Sequence, residues 1–393
     1  MDVGSATIFL TLAGSQAHGT AREGSDVDIR GVCLLPLQER LSLFHSYDQF
    51  EGPLPESLLR VVMPAISAHA TAGRAFEVKN ETVIFETAKF LRLCTDANPN
   101  ALEILFADPG DWLLDTPLWR ILYERRHLFL TKRVQHTFYG YAQAQLRRIR
   151  THRSWLLHPP QRRPERVDFG LSDTSTLLTH DDRNRFEQRI AEVLRTYEID
   201  DIEMPSSTRI AVQERIQNLR EDLLMLLVSQ SPAVDSTHAA PDSRRQIEES
   251  ARAVAAHALK IPADVFAALT SERRYRDAVR HWDSYQTWIR ERNPARAELE
   301  RRHGYDTKHA MHLIRLMRMG IEALTDGELN VRRRDAEELL SIRNGALSFD
   351  ELEALTDGLQ QEIQQAAKVT TLPSDVDREG VDGMFRDLAA TRR

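Results

Sequence analysis

The stretch "LAGSQAHGTAREGSDVDIRGV", residues 12–32, decides how the rest of the chain is read. It places a Gly-Ser pair, Gly14 and Ser15, upstream of an Asp-Val-Asp ending at Asp28. The residues leading into it, "TIFLTLA" at 7–13, are apolar and β-branched, the pattern of a short buried strand. That strand ends where Gly14 permits a turn. Residues 26–35, "DVDIRGVCLL", read as a second strand. Alternation puts Asp26 and Asp28 on one face of it and Val27 and Ile29 on the other. Two neighbouring carboxylates repel, and a divalent metal is the usual remedy, because Mg²⁺ takes carboxylate oxygens together with substrate phosphates. Two such ions roughly 3.5–4 Å apart activate an attacking hydroxyl and stabilise a leaving pyrophosphate. An Asp-x-Asp alone also fits an exposed acidic turn. The Gly-Ser pair tips the balance: Gly14 lets backbone N–H groups approach a phosphate closely, and Ser15 adds a hydroxyl donor.

A third carboxylate is expected on a neighbouring strand. Glu81 heads "ETVIFE", with Val83 and Phe85 alternating after it. Glu77 and Glu86 are rivals, but Glu86 lies where the strand runs into a helix and suits a surface or capping role. Glu81 is favoured.

The chain has 393 residues, enough for a sizeable core and two or more domains. Hydrophobic and charged contents of 41% and 28% are ordinary for a soluble protein. Two cysteines, Cys33 and Cys94, argue against a disulfide framework and fit a reducing cytoplasm. The opening residues lack the basic segment of a signal peptide, and no apolar run approaches the roughly 20 residues of a membrane span. The net charge of −7 does not advertise nucleic-acid binding. Residues 131–166 are different: they hold nine Lys or Arg and one acid, Glu165. Such a segment fits a phosphate-binding patch or a solvated helix face equally well.

The first ~115 residues read as mixed α/β, with further candidate strands at 61–65 and 82–86. "TAKFLRLCTD" at 87–96 is helical by spacing, and Asn98-Pro99 opens another helix as N-cap and first helical residue. Beyond 115 the pattern is mainly helical. The expected division is therefore α+β: residues 1–115, a mixed sheet with helices, then a helical domain over 116–366. The latter carries a proline-rich connection near 158–170 and an exposed loop near 229–243, and a loosely held tail follows at 367–393.

These residues resemble the nucleotidyltransferase signature of the DNA polymerase β superfamily, in which Gly-Ser precedes an Asp-x-Asp strand. More narrowly, the chain resembles the bacterial polymerase-β-like nucleotidyltransferases associated with RNA-repair operons. The segments that carry this are "GSQAHGT…SDVDIRGV" at 14–32, "KFLRL…NPNALEILF" at 89–106, "FYGYAQAQLRRI" at 138–149 and "RSWLLHPP…RVDFG" at 153–170. Two more lie at 274–320, ending in "YDTKHAMHLIRLMRMG", and at 332–345, "RRRDAEELLSIRNG". The resemblance implies a polymerase-β-like nucleotidyltransferase domain followed by a helical domain that closes the cleft. It implies that Asp26 and Asp28 bind metal, that Gly14 and Ser15 hold the triphosphate, and that the third acid is Glu81, where aspartate is more usual.

"YDTKHAMHLIRLMRMG" also reads as a capped helix, with Asp306 or Thr307 as cap and Gly320 near its end. Lys308, His312 and Arg315 follow i, i+4, i+7 and form one polar stripe beside an apolar face. The stripe is either an exposed charged face or a set of contacts to nucleotide phosphates. His309 sits off it and suits a packing role. His18, Trp155, Trp282, Trp288, Tyr139 and Tyr141 are weaker candidates for phosphate contact or base stacking.

The expected function is a nucleotidyltransferase that moves NMP from an NTP to an acceptor hydroxyl, using two Mg²⁺ (or Mn²⁺) ions. Asp26, Asp28 and Glu81 are the catalytic and metal-binding residues; Gly14, Ser15, Lys308, His312 and Arg315 bind the nucleotide. The acceptor expected is an RNA 3′ end, in RNA repair or tRNA processing, with RNA-repair proteins as partners. Two alternatives stand beside it: nucleotidyl transfer to a protein or small molecule, as in antitoxin systems, and a non-catalytic nucleotide- or RNA-binding repair factor.

Overall fold

The computed structural model describes residues 2–44, 47–69, 80–171 and 263–391. By internal packing the chain forms two units, residues 1–157 with 293–393, and residues 158–292.

The first unit is built on a five-stranded sheet in the order β3-β4-β2-β1-β5. β1 (Thr7–Ala13) is the buried strand expected there, preceded by a single turn, α1 (Val3–Ala6). β2 (Val27–Cys33) pairs antiparallel with it, and β5 (Trp112–Asp115) pairs antiparallel on its other side. β4 (Asn80–Glu86) lies parallel to β2, and β3 (Gln49–Gly52) closes the edge antiparallel to β4. Between β1 and β2 runs a one-turn helix, α2 (Gly14–Ala17); another turn, α3 (Leu37–Arg40), follows β2. All the described strands end by Asp115, in keeping with the mixed first ~115 residues, and the class is α+β.

Strand alternation divides the sheet into two faces. Leu10, Leu12, Val27, Ile29 and Ile84 pack on one face with α4 (Glu56–Ala68). Here the reading of 61–65 as a strand is corrected. Leu58, Val62 and Ile66 are buried at four-residue spacing while Val61 is exposed, so helical periodicity over the wider window outweighs a local Val-Val pair. Phe9 and Val32, on the other face, join the larger core. Phe9 stacks on Trp119 of α7 (Pro117–Glu124), ring centroids 3.7 Å apart.

That larger core is helical. α5 (Thr87–Thr95) is capped by Glu86, whose carboxylate accepts from the Ala88 N–H at 2.6 Å, so Glu86 has the capping role expected of it. α6 (Pro99–Leu105) starts on Asn98, whose side chain accepts from the N–H groups of Asn100 and Ala101. The long α8 (Val134–Leu157) buries Phe138, Leu146 and Ile149 against α11 (Thr307–Asp326). α11 is capped by Asp306 as predicted but does not stop at Gly320. It runs to Gly327, whose φ of +66° ends it in the left-handed conformation. Gly320 instead serves packing: a Cβ there would lie 3.1 Å from Phe138 and 3.2 Å from Ile363 of α13 (Phe349–Val369). α10 (Pro294–His303) precedes α11, and α12 (Ala336–Arg343) follows it. The tail expected to be loose is a helix, α14 (Arg378–Thr391), which buries Val381, Met384 and Leu388 at i, i+3, i+7. Its Asp- and Arg-rich composition belongs to the exposed face and masked that apolar stripe.

In the second unit, Arg166 of a short turn at Arg166–Phe169 pairs with Glu272 of α9 (Ala263–Glu291) at 2.8 Å, and Phe169 packs on Tyr275. The loop expected at 229–243 lies outside the described residues.

Candidate active site

Register places the acids. Ala13 of β1 stands opposite Asp28 of β2, and Asp28 stands opposite Glu81 of β4. Residues paired in register point to the same face, so Asp28 and Glu81 are side by side. Asp26 precedes the strand by one residue and is exposed. Glu77, the rival third acid, lies outside the described residues. Asp28 is partly buried, which pushes its carboxyl pKa up. The neighbouring charges of Glu81 and Asp26 push the same way, against Arg30, at 3.4 Å, and Lys308.

Gly14 is required where it stands. Its φ is +58°, and an ideal Cβ would sit 3.3 Å from Asp28 Cγ and run into a carboxylate oxygen. The turn at Gly14 and the Asp28 carboxylate are thus in direct apposition. The loop that follows is held by its own backbone, with His18 N–H to Gly14 O at 3.0 Å and Thr20 N–H to Ser15 O at 2.9 Å. It is also clamped from the C-terminal segment. Arg333 N–H donates to His18 O, Arg343 donates to Thr20 O, and Arg22 donates to Leu340 O and Asn344. This is the structural use of the "RRRDAEELLSIRNG" segment.

Sheet and helices enclose a cavity of about 590 Å³. Gly14, Asp28 and Arg30 line it from the sheet side, and Lys308, His309, His312 and Arg315 line it from α11. The stripe predicted on α11 therefore faces the cavity. Ser15 and Glu81 are not part of its lining. Burial and the charges of Arg296 and Arg343 lower the Lys308 pKa, against the pull of Asp26 and Asp28. Burial, with Arg315 next, holds His312 well below the usual imidazole range, so it is neutral at neutral pH.

Arg315 differs from what the stripe suggested. It is only 6% exposed, and its guanidinium is paired with Glu103 of α6. His18 Nε2 meets the other oxygen of the same carboxylate at 3.0 Å. Burial alone would raise the Glu103 pKa, but Arg315 and His18 outweigh it and hold the carboxyl well below its ordinary range. Burial lowers His18. Arg315 thus spends its charge on an internal partner and ties α11 to α6 and to the loop after Ser15. Sequence reading missed Glu103; its partners are 85 and 212 positions away.

Among the described residues, the trio whose ligand atoms lie within 4.8 Å of one another is His152, Asp306 and His309, not the strand acids. It is already served by a cation, because the guanidinium of Arg296 lies on Asp306 and His309. Burial raises Asp306, but His152, His309 and Arg296 outweigh it and keep it ionised. His309 therefore has the packing role expected of it and also lines the cavity. The strand acids are the better fit for a hard divalent cation: Asp26, Asp28 and Glu81 offer oxygen donors whose like charges face one another.

Four of the nine basic residues at 131–166 are paired with acids. Arg133 pairs with Asp96 and Asp375, Arg150 with Glu353, Arg162 with Asp168 and Arg166 with Glu272. Trp155 is buried and stacks on His152.

The sheet thus carries carboxylates beside a Gly-Ser turn, faced by basic residues of α11 across the cavity. Residues 2–63 and 77–157 match the model of the RNA repair pathway DNA polymerase beta family, so this N-terminal part of the chain is similar to that family. The match takes in the sheet, both aspartates, Glu81, α6 and α8, and ends before α11. No curated protein and no solved structure matches the chain. No helix among the described residues is long and apolar enough to cross a membrane.

Proposed function

We propose that this protein transfers NMP from an NTP to an acceptor hydroxyl, with an RNA 3′ end as the acceptor. The observation that carries this is the apposition of Gly14 to the Asp28 carboxylate, with Glu81 in register beside it and Lys308 lining the same cavity. Asp26, Asp28 and Glu81 would hold the divalent ions, which would supply charge neutralisation and an acidified acceptor hydroxyl. Gly14 and Ser15 hold the triphosphate through backbone N–H groups and the hydroxyl. Lys308 and neutral His312 contact phosphate oxygens from the helical side, and Arg315 acts behind them through Glu103. The acceptor oxygen forms a bond to the α-phosphorus, and the bond to the bridging oxygen breaks, releasing pyrophosphate. The proton leaves toward Glu81. The chain's contribution is positioning and charge placement rather than covalent chemistry.

The RNA acceptor draws on the family description and the basic segment. The internal pairing of Arg133 and Arg150 favours a second reading, transfer to a protein or small-molecule hydroxyl. One experiment separates them. The full chain is incubated with labelled NTPs, Mg²⁺ or Mn²⁺, 3′-OH RNA and a protein extract, with Asp26→Ala/Asp28→Ala as control. Label is expected in RNA and absent with the double variant. Label in a protein band replaces the acceptor; NTP binding without transfer to any acceptor makes the protein a binding factor. Equal transfer by the double variant removes the site assignment.

A further inference from the structure

Two helices present polar stripes to the cavity that the phosphate and carboxylate roles do not use. α6 contributes Asn100, beside Glu103 and Ile104; α8 contributes Tyr141, Gln145 and Arg148, at i, i+4 and i+7. Tyrosines on a packed helix normally enter the core, and Tyr139 does pack against it. Tyr141 stays outside: it is 38% exposed and its side lines the cavity. Its hydroxyl accepts a 2.8 Å hydrogen bond from Asn98, the residue that caps α6. The ring is thus oriented by a group that is itself fixed. One turn along, the Gln145 side-chain oxygen is shielded from solvent and has no hydrogen-bond partner among the described residues. A buried amide oxygen left unpaired is costly unless a ligand donates to it.

Resting on the reading of this cavity as an NTP site, we propose that Tyr141 and Gln145 form the nucleobase subsite. Tyr141 stacks on the base of the donor nucleotide, and Gln145 selects adenine or cytosine, which carry an amino group at the ring position (C6 of a purine, C4 of a pyrimidine) where guanine and uracil carry a carbonyl oxygen. Aromatic side chains stack on any base, so Tyr141 supplies affinity without choice. An amide sets an acceptor beside a donor and pairs with the amino group and adjacent ring nitrogen of adenine. Uracil and guanine carry a carbonyl oxygen at the corresponding position, which would face the Gln145 oxygen acceptor to acceptor.

The test is calorimetric binding of ATP, CTP, GTP, UTP and tripolyphosphate, each with Mg²⁺ and no acceptor, to the full-length chain. Wild type is expected to bind ATP or CTP roughly tenfold more tightly than UTP and GTP, the scale of one discriminating base contact. Gln145→Met removes that discrimination. Tyr141→Ala weakens all four nucleotides by about tenfold and leaves tripolyphosphate binding unchanged. The ratio of ATP to UTP affinity is read on one sample, so it holds even where a variant lowers the folded fraction. Nucleotide binding that neither substitution alters overturns the subsite and leaves the phosphate site standing. Failure of wild type to bind NTPs and tripolyphosphate alike overturns both.

Discussion

The two walls of the cavity are built in opposite ways. On the sheet wall, Asp26, Asp28 and Glu81 are like charges set close by strand register, with Arg30 and Lys308 as cations near Asp28. On the helix wall, cations are matched to acids of the same wall: Arg315 to Glu103, Arg296 to Asp306. The sheet wall therefore gathers like charges, whose repulsion adds to the burial that raises the Asp28 pKa. On the helix wall Arg315 and Arg296 are neutralised within the wall, while Lys308 answers to the strand acids across the cavity. One wall concentrates like charge at some expense of stability, and the other keeps the helices in place.

The sharpest way to break this contrast is Asp28→Asn. Transfer should fall on the order of 10³-fold, the scale for loss of a charge-stabilising group, read as label incorporated under single-turnover conditions. The variant should melt slightly higher than wild type. The Asp28 pKa is raised, so the folded state disfavours its ionised form at neutral pH, and a neutral amide removes that strain. A lower melting temperature would make Asp28 a structural residue. On the other wall the expectation reverses. Glu103→Gln leaves the Arg315 guanidinium buried without its counter-ion and should cost about 3 kcal/mol in urea unfolding. Arg315→Met in the same chain should recover much of it, because removing both partners of a buried pair is far milder than removing one. An unchanged midpoint for Glu103→Gln would refute the scaffold.

Gly14→Ala tests the joint between turn and sheet. A left-handed alanine costs about 1 kcal/mol or more, and its methyl group must displace Asp28. Stability should fall modestly while NTP affinity falls more; loss of stability alone would detach the turn from the nucleotide. The smallest effect is the pH response of the helix wall. His18, His309 and His312 have lowered pKa values because they are buried, so the folded state binds fewer protons than the unfolded state, whose imidazoles titrate near about 6.5. Stability is complete above that pH and declines as pH falls below it. Glu103 and Asp306, both lowered, lose their contribution only below about pH 4. Melting temperatures from pH 7.5 to 5 should therefore fall for wild type and less steeply for His312→Asn.

The sheet wall was legible because its information is local. Asp26, Asp28 and Gly14 lie within one stretch, and period-2 alternation orders them; Glu81 needed only the next strand. Lys308 and His312 were legible as a stripe on a capped helix. The helix wall's counter-ions were not. Glu103 sits in an apolar helical run and gains its role from His18 and Arg315, brought to it by tertiary packing. Arg315 was assigned to phosphate because spacing shows direction along a helix and not who waits at the end of the side chain. The strand read at 61–65 failed where four-residue periodicity extended beyond the window, and the tail failed because charge outnumbered a sparse apolar stripe.

The chain leaves the first unit at residue 157 and returns at 293, so α11 is joined to α8 only after a long excursion. A protein made from its N-terminus exposes its acids, its Gly-Ser turn and the apolar flank of α8 well before Lys308 and the partner surface of α11 exist. During that interval Phe138, Leu146 and Ile149 lack the helix that covers them in the folded protein, and such exposed apolar surface is prone to aggregate. The cavity closes only when α11 is released. Translation thus acts as a timer: the cavity is complete only on molecules whose synthesis has passed that helix.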